Sequence, residues 1–315
     1  MPRLFQSFLF KLILTVIISI FIGTQLAKIE LKEYNHGFRK ILGVEVSRGD
    51  PQLEDLIGNF LEGKDGDYAI YVKDLKPQGK RDVYINSDQV YEAASLYKLY
   101  LMAATFKAIN DGKMTKDTEI SAKLSHLEDV LGSVDFGYQD LAEDEVATYT
   151  VAECLDRISR ISDNYAAIMP AEKVGWDNVQ ALADDLGVEN TAIKNPITTS
   201  AEDIGLLLEK LYRGEVVSFD ASQQMIDLLS QAQINDRIPA KLPQDLRVAH
   251  KTGELSQVRN DAGIVFLDPP ASGPYVIVLM TKNLKYEDEG IENLAEVSKI
   301  VYDYYASNSD SKKVE

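Results

Sequence analysis

Residues 275–281, Tyr-Val-Ile-Val-Leu-Met-Thr, form an almost continuous apolar run that decides how the chain folds. Residues 263–267, Gly-Ile-Val-Phe-Leu, form a second such run just upstream. A strand with one solvated face alternates apolar and polar residues, whereas a continuous apolar run is typical of a strand covered on both faces. We therefore predict a sheet that is buried between two layers.

Strand signals occur near both ends of the chain, with helical signals between them. Residues 68–72 and 83–85 are rich in β-branched and aromatic residues and predict a hairpin, and residues 247–251 predict a further strand. From 95 to 217 apolar residues recur mostly at helical spacing, and a last helix is predicted at 291–305. The predicted fold is α+β in three layers: an antiparallel sheet with helices on both faces and an inserted helical subdomain.

The overall composition is that of a globular protein without affinity for nucleic acid. The chain has 315 residues, of which 45% are hydrophobic and 26% charged, so wholesale disorder is excluded. Fifty acidic residues against 33 basic ones give a formal charge of −17. Without a basic stripe, phosphate binding is not expected. We expect a monomer.

Cysteine and histidine give no sign of a disulfide, a metal or a cofactor. Cys154 is the single cysteine, so it cannot form an intramolecular disulfide, and we predict that it is a buried small hydrophobe. The three histidines, His36, His126 and His250, do not fall in a paired ligand spacing. We therefore predict neither a metal site nor a cofactor.

The N-terminal segment has the features of an export signal. Residues 12–27 are uncharged, with Arg3 and Lys11 before them and Lys28 after them. A bilayer core of ~30 Å needs about 20 apolar residues, so this run spans it only if Lys11 extends toward the interface. No small-x-small cleavage site is evident, which favours an uncleaved signal-anchor, and a cleaved signal peptide remains the alternative. Either reading predicts an exported domain, membrane-anchored or secreted.

The predicted domain boundaries follow from this segment and from local composition. Residues 1–27 are assigned to the signal-anchor or signal peptide and residues 28–50 to a linker that ends in Gly and Pro punctuation. Residues 51–306 form the predicted globular domain, and residues 307–315 form a disordered polar tail.

A serine and a lysine three residues apart form a pair in which the lysine can activate the serine without a histidine. In Ser95-Leu96-Tyr97-Lys98 the serine opens a predicted helix, where free N–H groups favour developing negative charge. Ser95 and Lys98 share a helix face, and Ser95 continues an apolar stripe that begins at Leu99. A desolvated lysine has a lowered pKa, so its neutral amine can accept a proton from a hydroxyl. This spacing is common by chance and carries little weight alone.

Two further tripeptides also have ordinary structural explanations. Ser162-Asp163-Asn164 lies between two predicted helices, where each of its residue types is a favoured cap. Lys251-Thr252-Gly253 ends a predicted strand, where a glycine turn would be expected in any case.

The three motifs in this order carry a family resemblance. S-x-x-K, S-D-N and K-T-G together make the chain similar to class A β-lactamases and penicillin-binding proteins over about residues 65–305. The resemblance implies a serine hydrolase of the β-lactamase/transpeptidase fold. Its substrate would be a β-lactam or a peptide that ends in D-Ala-D-Ala.

The resemblance also implies the catalytic roles. Ser95 would be the nucleophile that attacks an amide carbonyl to give an acyl-enzyme, with Lys98 as the adjacent base. Ser162 would pass a proton to the leaving nitrogen, with Lys251 supplying positive charge.

The residues implied in substrate binding are Asn164, Thr252, Gly253, Glu254 and Arg259. Asn164 would hydrogen-bond the amide side chain of the substrate. Lys251, Thr252 and Arg259 would receive its carboxylate. The backbone N–H groups of Ser95 and Glu254 would form the oxyanion hole.

Two departures from the family pattern bear on function. The stretch 187–198 is shorter than the loop that carries the deacylating glutamate in class A β-lactamases, and the Glu-x-x-Leu-Asn pattern is absent. Glu189 is the nearest acid, without a motif to support a catalytic role. Glu254 is the second departure, because an acid there could repel a substrate carboxylate.

Three functions remain open at this stage. The first is a β-lactamase-like hydrolase in which deacylation is slow. The second is a cell-wall D-Ala-D-Ala peptidase, which uses similar nucleophile machinery. The third is a membrane-anchored sensor or inactive relative that binds ligand without turnover.

Overall fold

The apolar run at 275–281 becomes the central strand of a five-stranded antiparallel sheet. The computed structural model describes residues 48–76, 79–131, 145–194, 196–267 and 273–307. Within them the main sheet has the strand order β2-β1-β9-β8-β7. The strands are β1 (Asp67–Asp74), β2 (Val83–Ile85), β3 (Tyr91–Glu92), β4 (Glu119–Lys123), β5 (Val146–Thr150), β6 (Thr198–Thr199), β7 (Arg247–Leu255), β8 (Val258–Phe266) and β9 (Tyr275–Lys282).

Helices precede the sheet, follow it and fill the middle of the chain. They are α1 (Pro51–Leu61), α2 (Tyr97–Asn110), α3 (Leu124–Leu131), α4 (Val151–Ile161), α5 (Tyr165–Val174), α6 (Trp176–Asp185), α7 (Ala201–Tyr212), α8 (Phe219–Leu229) and α9 (Glu287–Ser307). This arrangement confirms the predicted α+β fold, including the hairpin of β1 and β2. The predicted signal segment at 1–27, most of the linker and the tail beyond 307 lie outside the described residues.

Alternate residues of β9 point into two separate cores, as expected for a strand covered on both faces. Val276, Val278 and Met280 pack into the core on the side of the inserted helices. Ile277 and Leu279 pack into the core beneath α1 and α9. The sheet is therefore the middle of three layers.

The helical layer is built around α2, which is buried on nearly all of its surface. Leu99, Met102 and Phe106 of the predicted apolar stripe are buried, and so are Leu101 and Ala103 on other sides of the helix. A helix apolar all round is one that other helices enclose. Cys154 of α4 is fully buried in the same core, which confirms its prediction as a small hydrophobe.

Helix α7 packs closely on the sheet because of a glycine. A Cβ atom on Gly205 would lie 2.3 Å from the ring of Tyr71 on β1. The Tyr71 hydroxyl donates a hydrogen bond to Glu209, one turn further along the same helix. The glycine therefore allows an approach that any side chain would block.

The short strands of the helical region were not predicted from sequence. β4 pairs with β5, and β3 pairs with β6 through only two residues on each side. Exposed and half-buried residues alternate along β4, so it lacks an apolar run to mark it. No helix in the described part of the chain combines the length and apolar character needed to cross a bilayer.

Candidate active site

Ser95 lies in a tight turn immediately before α2. A 3₁₀ turn spans Ala94–Leu96 and runs directly into Tyr97–Asn110. Ala94 has a φ of 46°, a left-handed conformation that costs free energy for a residue with a Cβ. Ala94 and Leu96 are buried, whereas Ser95 is partly exposed. The turn therefore presents the serine hydroxyl at the surface of a buried scaffold.

Two residues of the sheet fix this turn in place. Asn260 of β8 is fully buried, and its Nδ2 donates to Glu92 O at 3.1 Å. On the neighbouring β7, a Cβ atom on Gly253 would lie 3.1 Å from the backbone N of Ser95. The end of β7 thus lies directly against the serine because residue 253 has no side chain.

Lys98 is enclosed by acceptors from the Ser162-Asp163-Asn164 segment. Its Nζ donates to Ser162 O and to Asn164 Oδ1, both at 2.6 Å, and lies 3.4 Å from Ser162 Oγ. The side chain is fully buried. Burial holds the pKa of Lys98 well below its ordinary value, and the charge of Lys251 lowers it further. The amine is thereby favoured in its neutral form.

Three oxygens lie within hydrogen-bond distance of Lys98 Nζ, two of them at 2.6 Å and Ser162 Oγ at 3.4 Å. The neutral form that the lowered pKa favours has two N–H bonds and one lone pair. That lone pair can accept a proton. Ser95 precedes Lys98 by three residues, in the 3₁₀ turn that runs into α2.

Ser162 occupies a strained junction between α4 and α5. It is the C-cap of α4 and has φ 59° and ψ 29°, in the left-handed region. Asp163 pairs with Arg157 at 2.6 Å, and its Oδ1 accepts from the backbone N of Ala166 at the start of α5. The segment therefore serves both as a helix cap and as part of the site, so the two interpretations of the sequence are compatible.

Lys251 of β7 contacts Ser162 from the side of the sheet. Its Nζ donates to Ser162 Oγ and to Thr252 O, both at 2.7 Å. Burial lowers the pKa of Lys251 to about 7, with the positive charge of Arg237 also lowering it and Asp261 opposing the shift. Ser162 Oγ thus lies between two amines from distant parts of the chain.

An ionic network beneath β7 was not predicted from sequence. His250 Nδ1 lies 2.9 Å from Asp261 Oδ1, and the backbone N of Ile238 donates to Asp261 Oδ2 at 3.0 Å. Arg237 is completely buried and donates to the carboxylate of Glu254.

Arg259 is engaged by its own hairpin and by α9. Its guanidinium donates to Leu255 O and Val258 O at 2.8 Å each, and to the carboxylate of Glu287. Thr252 is buried on β7 opposite Asp261. The structure thus brings Ser162, Lys98 and Lys251 into direct contact, while Arg259 is directed to the hairpin turn.

The stretch 187–198 is organised around one buried acid. Asp203 accepts from the backbone N of Asn190 at 2.7 Å, from Thr191 Oγ1 at 2.7 Å and from the backbone N of Glu189 at 3.3 Å. The Glu189 side chain is exposed.

Acidic partners for the two lysines and Ser162 are absent from the described part of the site. Across the described ranges, no carboxylate lies within hydrogen-bond distance of Lys98 Nζ, Lys251 Nζ or Ser162 Oγ. In that same part of the chain, no group of three acidic, His or Cys side chains could hold a metal ion.

Comparison with known families decides the relationship. A model described as the β-lactamase enzyme family matches residues 52–305, most of the chain. The chain belongs to the β-lactamase enzyme family. This confirms the resemblance drawn from the three motifs. Curated protein sequences give no match to this family member.

Solved structures of PBP-A and of β-lactamases are similar in fold to this β-lactamase-family protein. PBP-A is 27% identical with a TM-score of 0.72, covering 83% of this chain and 98% of PBP-A. A mutant of PBP-A, solved as an acyl-enzyme complex with penicillin G, is 26% identical with a TM-score of 0.73, covering 84% and 100% of the two chains. A β-lactamase from Sphaerobacter thermophilus DSM 20745 is 22% identical with a TM-score of 0.68, covering 79% and 94%, and shows the shared fold.

Proposed function

We propose that the protein is an active-site serine hydrolase that forms an acyl-enzyme with β-lactams through Ser95. The observation that carries the proposal is the environment of Lys98, a buried amine with a lowered pKa that donates to Ser162 O and Asn164 Oδ1. A neutral lysine next to a serine at a helix start is a base–nucleophile pair. The acyl-enzyme of the PBP-A mutant with penicillin G supports the same substrate class.

In the acylation step, each proton and each bond has a defined place. Ser95 Oγ forms a bond to the lactam carbonyl carbon while its proton passes to Lys98 Nζ. The C–N bond of the ring then breaks, and the nitrogen takes the proton of the Ser162 hydroxyl. Ser162 regains a proton from Lys98, and the charge of protonated Lys251, 2.7 Å from Ser162 Oγ, stabilises that oxygen during the transfer.

The oxyanion that forms on the carbonyl needs backbone donors. The N–H groups of Ser95 and Glu254 lie on the two segments that Gly253 brings together. A single oxyanion donor is commonly worth about 3 kcal/mol of transition-state stabilisation. The close contact at Gly253 is therefore proposed to hold both donors on the same oxygen.

Slow deacylation is the second part of the proposal. Release of the acyl group needs a base to activate water, and Lys98, Lys251 and Ser162 have no carboxylate partner among the residues that the structure describes. Glu189, the nearest acid by sequence, has an exposed side chain, and its backbone N–H is bound to Asp203. The acyl-enzyme should therefore accumulate.

A chromogenic cephalosporin tests this proposal. We expect a burst of about one equivalent of product per protein, followed by slow turnover. Ser95→Ala should abolish the burst, and Ser121→Ala, at an exposed serine of β4, should leave it intact. Sustained rapid hydrolysis would contradict slow deacylation, and the absence of a burst would favour an inactive relative.

A D-Ala-D-Ala peptidase is the second candidate function. The similarity to PBP-A favours it over an efficient β-lactamase, and so does the absence, among the described residues, of a carboxylate hydrogen-bonded to Ser162 Oγ. An acylated D-Ala-D-Ala peptide should then release D-alanine in a reaction that prior treatment with penicillin G blocks. Release that continues after such treatment would count against a shared nucleophile.

We also propose that the protein is exported and held at the outer side of a membrane by residues 12–27. The support is the sequence alone, an uncharged run with basic residues before and after it. In fractionated cells the full chain should remain with membranes, and protease added outside intact protoplasts should degrade it. A soluble, shortened product in the medium would indicate a cleaved signal peptide instead.

A further inference from the structure

A second cleft lies at the end of the main sheet where β1 begins and β9 ends. Its volume is about 690 Å³, within the usual range of small-molecule sites. The walls come from the C-terminal end of α1, the start of β1, the end of β2 and the residues that lead into β3. Ser95, Lys98, Ser162 and Lys251 do not belong to its lining, so it is not part of the acylation site.

One side chain of this cleft carries a hydroxyl that the described part of the chain leaves without a partner. Tyr91 is only 2% exposed, and its hydroxyl has no hydrogen-bond partner among the described residues. Burial raises the pKa of Tyr91 to about 12, and the charge of Asp67 also raises it, so the hydroxyl stays protonated and can donate. Because an unpaired buried hydroxyl is unfavourable, a ligand that accepts from it gains binding free energy.

A lysine lies over the ring of this tyrosine. Lys282 Nζ is 4.2 Å from the centroid of the Tyr91 ring, and it forms no ion pair within the described ranges. Both side chains also line a smaller neighbouring cavity of about 260 Å³. Tyr91 and Lys282 therefore form a wall shared by the two cavities, with a hydroxyl and an ammonium as donors.

The rest of the lining adds acceptors and amide groups. Glu62 and Asp67 contribute exposed carboxylates, and Asn59 and Gln89 contribute exposed amides. With these two acids against Lys282, the lining has no excess of positive charge and does not favour an anion. Carboxylates, amides and a hydroxyl together offer both donors and acceptors, which suits a neutral ligand rich in hydroxyl groups.

An extended peptide fits the cleft less well because the sheet edge is already occupied there. β2 pairs only with residues 70–72 of β1, so the start of β1 extends beyond its partner strand. Asn86 Nδ2 donates to Tyr68 O at 2.9 Å, and Asn86 Oδ1 accepts from Gln89 Nε2 at 3.0 Å. A peptide that added a strand to this edge would have to displace the Asn86 side chain.

We propose that this cleft binds a neutral saccharide that carries hydroxyl and amide groups. Tyr91 and Lys282 donate to oxygens of the sugar, while the carboxylates of Glu62 and Asp67 accept from its hydroxyls. The apolar side chain of Ile85 contacts the C–H face of a sugar ring. This inference goes beyond the proposed acylation and does not depend on it.

N,N′-diacetylchitobiose is a suitable probe because it is a neutral disaccharide with both hydroxyl and amide groups. Saturation-transfer NMR on the full-length protein measures its dissociation constant. We expect saturable binding in the millimolar range, weakened about tenfold by Tyr91→Phe through the loss of one hydrogen bond. Gln89→Ala, at an exposed lining position, should also weaken binding and tests the cleft without a change in the core.

Tyr275→Phe is the matched control because it also removes a buried tyrosine hydroxyl without a partner among the described residues. Tyr275 begins β9, at the opposite end of that strand from Lys282, and its ring packs against Tyr305. Tyr275→Phe and Ser95→Ala should both bind the disaccharide as the wild type does. Circular dichroism melting should show that every variant is folded.

Three results would overturn the inference. The first is no saturable binding of the disaccharide to the wild type, and the second is unchanged binding in Tyr91→Phe or Gln89→Ala. The third is stronger binding of sodium acetate or of a neutral blocked alanine peptide, which would make the ligand an anion or a peptide. None of these results bears on acylation of Ser95, which the cephalosporin burst tests separately.

Discussion

Replacing Lys251 by methionine should remove a specific pH dependence from the stability of the protein. The side chain is fully buried, and its pKa of about 7 lies far below the ordinary lysine value of 10.5. In the unfolded chain the amine is protonated throughout the range from pH 7 to 9, whereas in the folded protein it loses its proton. The unfolded state therefore binds more protons, and the free energy of unfolding rises with pH in this window.

The size of the effect follows from these two pKa values. With values of about 7 and 10.5, linkage gives an increase of about 2 kcal/mol in the free energy of unfolding between pH 7 and pH 9. Lys251→Met keeps a similar volume without a titrating group, so this contribution should vanish. Lys173→Met, at an exposed lysine of α5, should retain the wild-type slope.

Urea denaturation at pH 7, 8 and 9 measures this contribution directly. From pH 7 to pH 9, the unfolding free energy of the wild type should rise by about 2 kcal/mol relative to that of Lys251→Met. Parallel pH curves for the two proteins would refute the conclusion that burial has lowered the pKa of Lys251.

Three further predictions concern acylation of Ser95. Lys98→Arg should slow the cephalosporin burst by at least about a thousandfold, because a guanidinium stays protonated and cannot accept a proton. Stopped-flow absorbance measures the burst rate, and a loss of less than about tenfold would contradict the role of Lys98 as base. In the wild type, the burst rate should fall as the pH drops through the lowered pKa of Lys98, because protonation removes the base. A burst rate that does not fall on acidification while the protein stays folded would count against it. Gly253→Ala should slow the burst about tenfold, because the added methyl would lie 3.1 Å from the backbone N of Ser95 and push β7 away from it. An unchanged burst rate in the folded variant would show that acylation does not need the close contact between Gly253 and Ser95.

The layered fold could be predicted because a strand buried on both faces is apolar at consecutive positions. Residues 275–281 are apolar on both faces, and the structure places alternate side chains of β9 in two different cores. The pairing of β3 with β6 could not be predicted in this way, because strands of two residues are too short to show a pattern of apolar residues. Their pairing depends on contacts between segments more than 100 residues apart.

The central contacts of the site were accessible from sequence, but its ionic surroundings were not. Ser95, Lys98, Ser162 and Lys251 stand in three motifs whose order is informative, although each motif alone is common. The contact of Arg237 with Glu254 has no periodic signal, since it joins a loop to a strand across 17 residues. The direction of the Arg259 side chain, toward α9 instead of Ser162, depends on the position of Glu287 in three dimensions.

The central claim is that Ser95 attacks a β-lactam carbonyl and keeps the acyl group, and mass spectrometry of the protein after brief exposure to penicillin G tests it most directly. The account predicts a mass increase of one intact penicillin G molecule, found on the peptide that contains Ser95 and persisting over many minutes. An unmodified protein, or an adduct on any other residue, would contradict it.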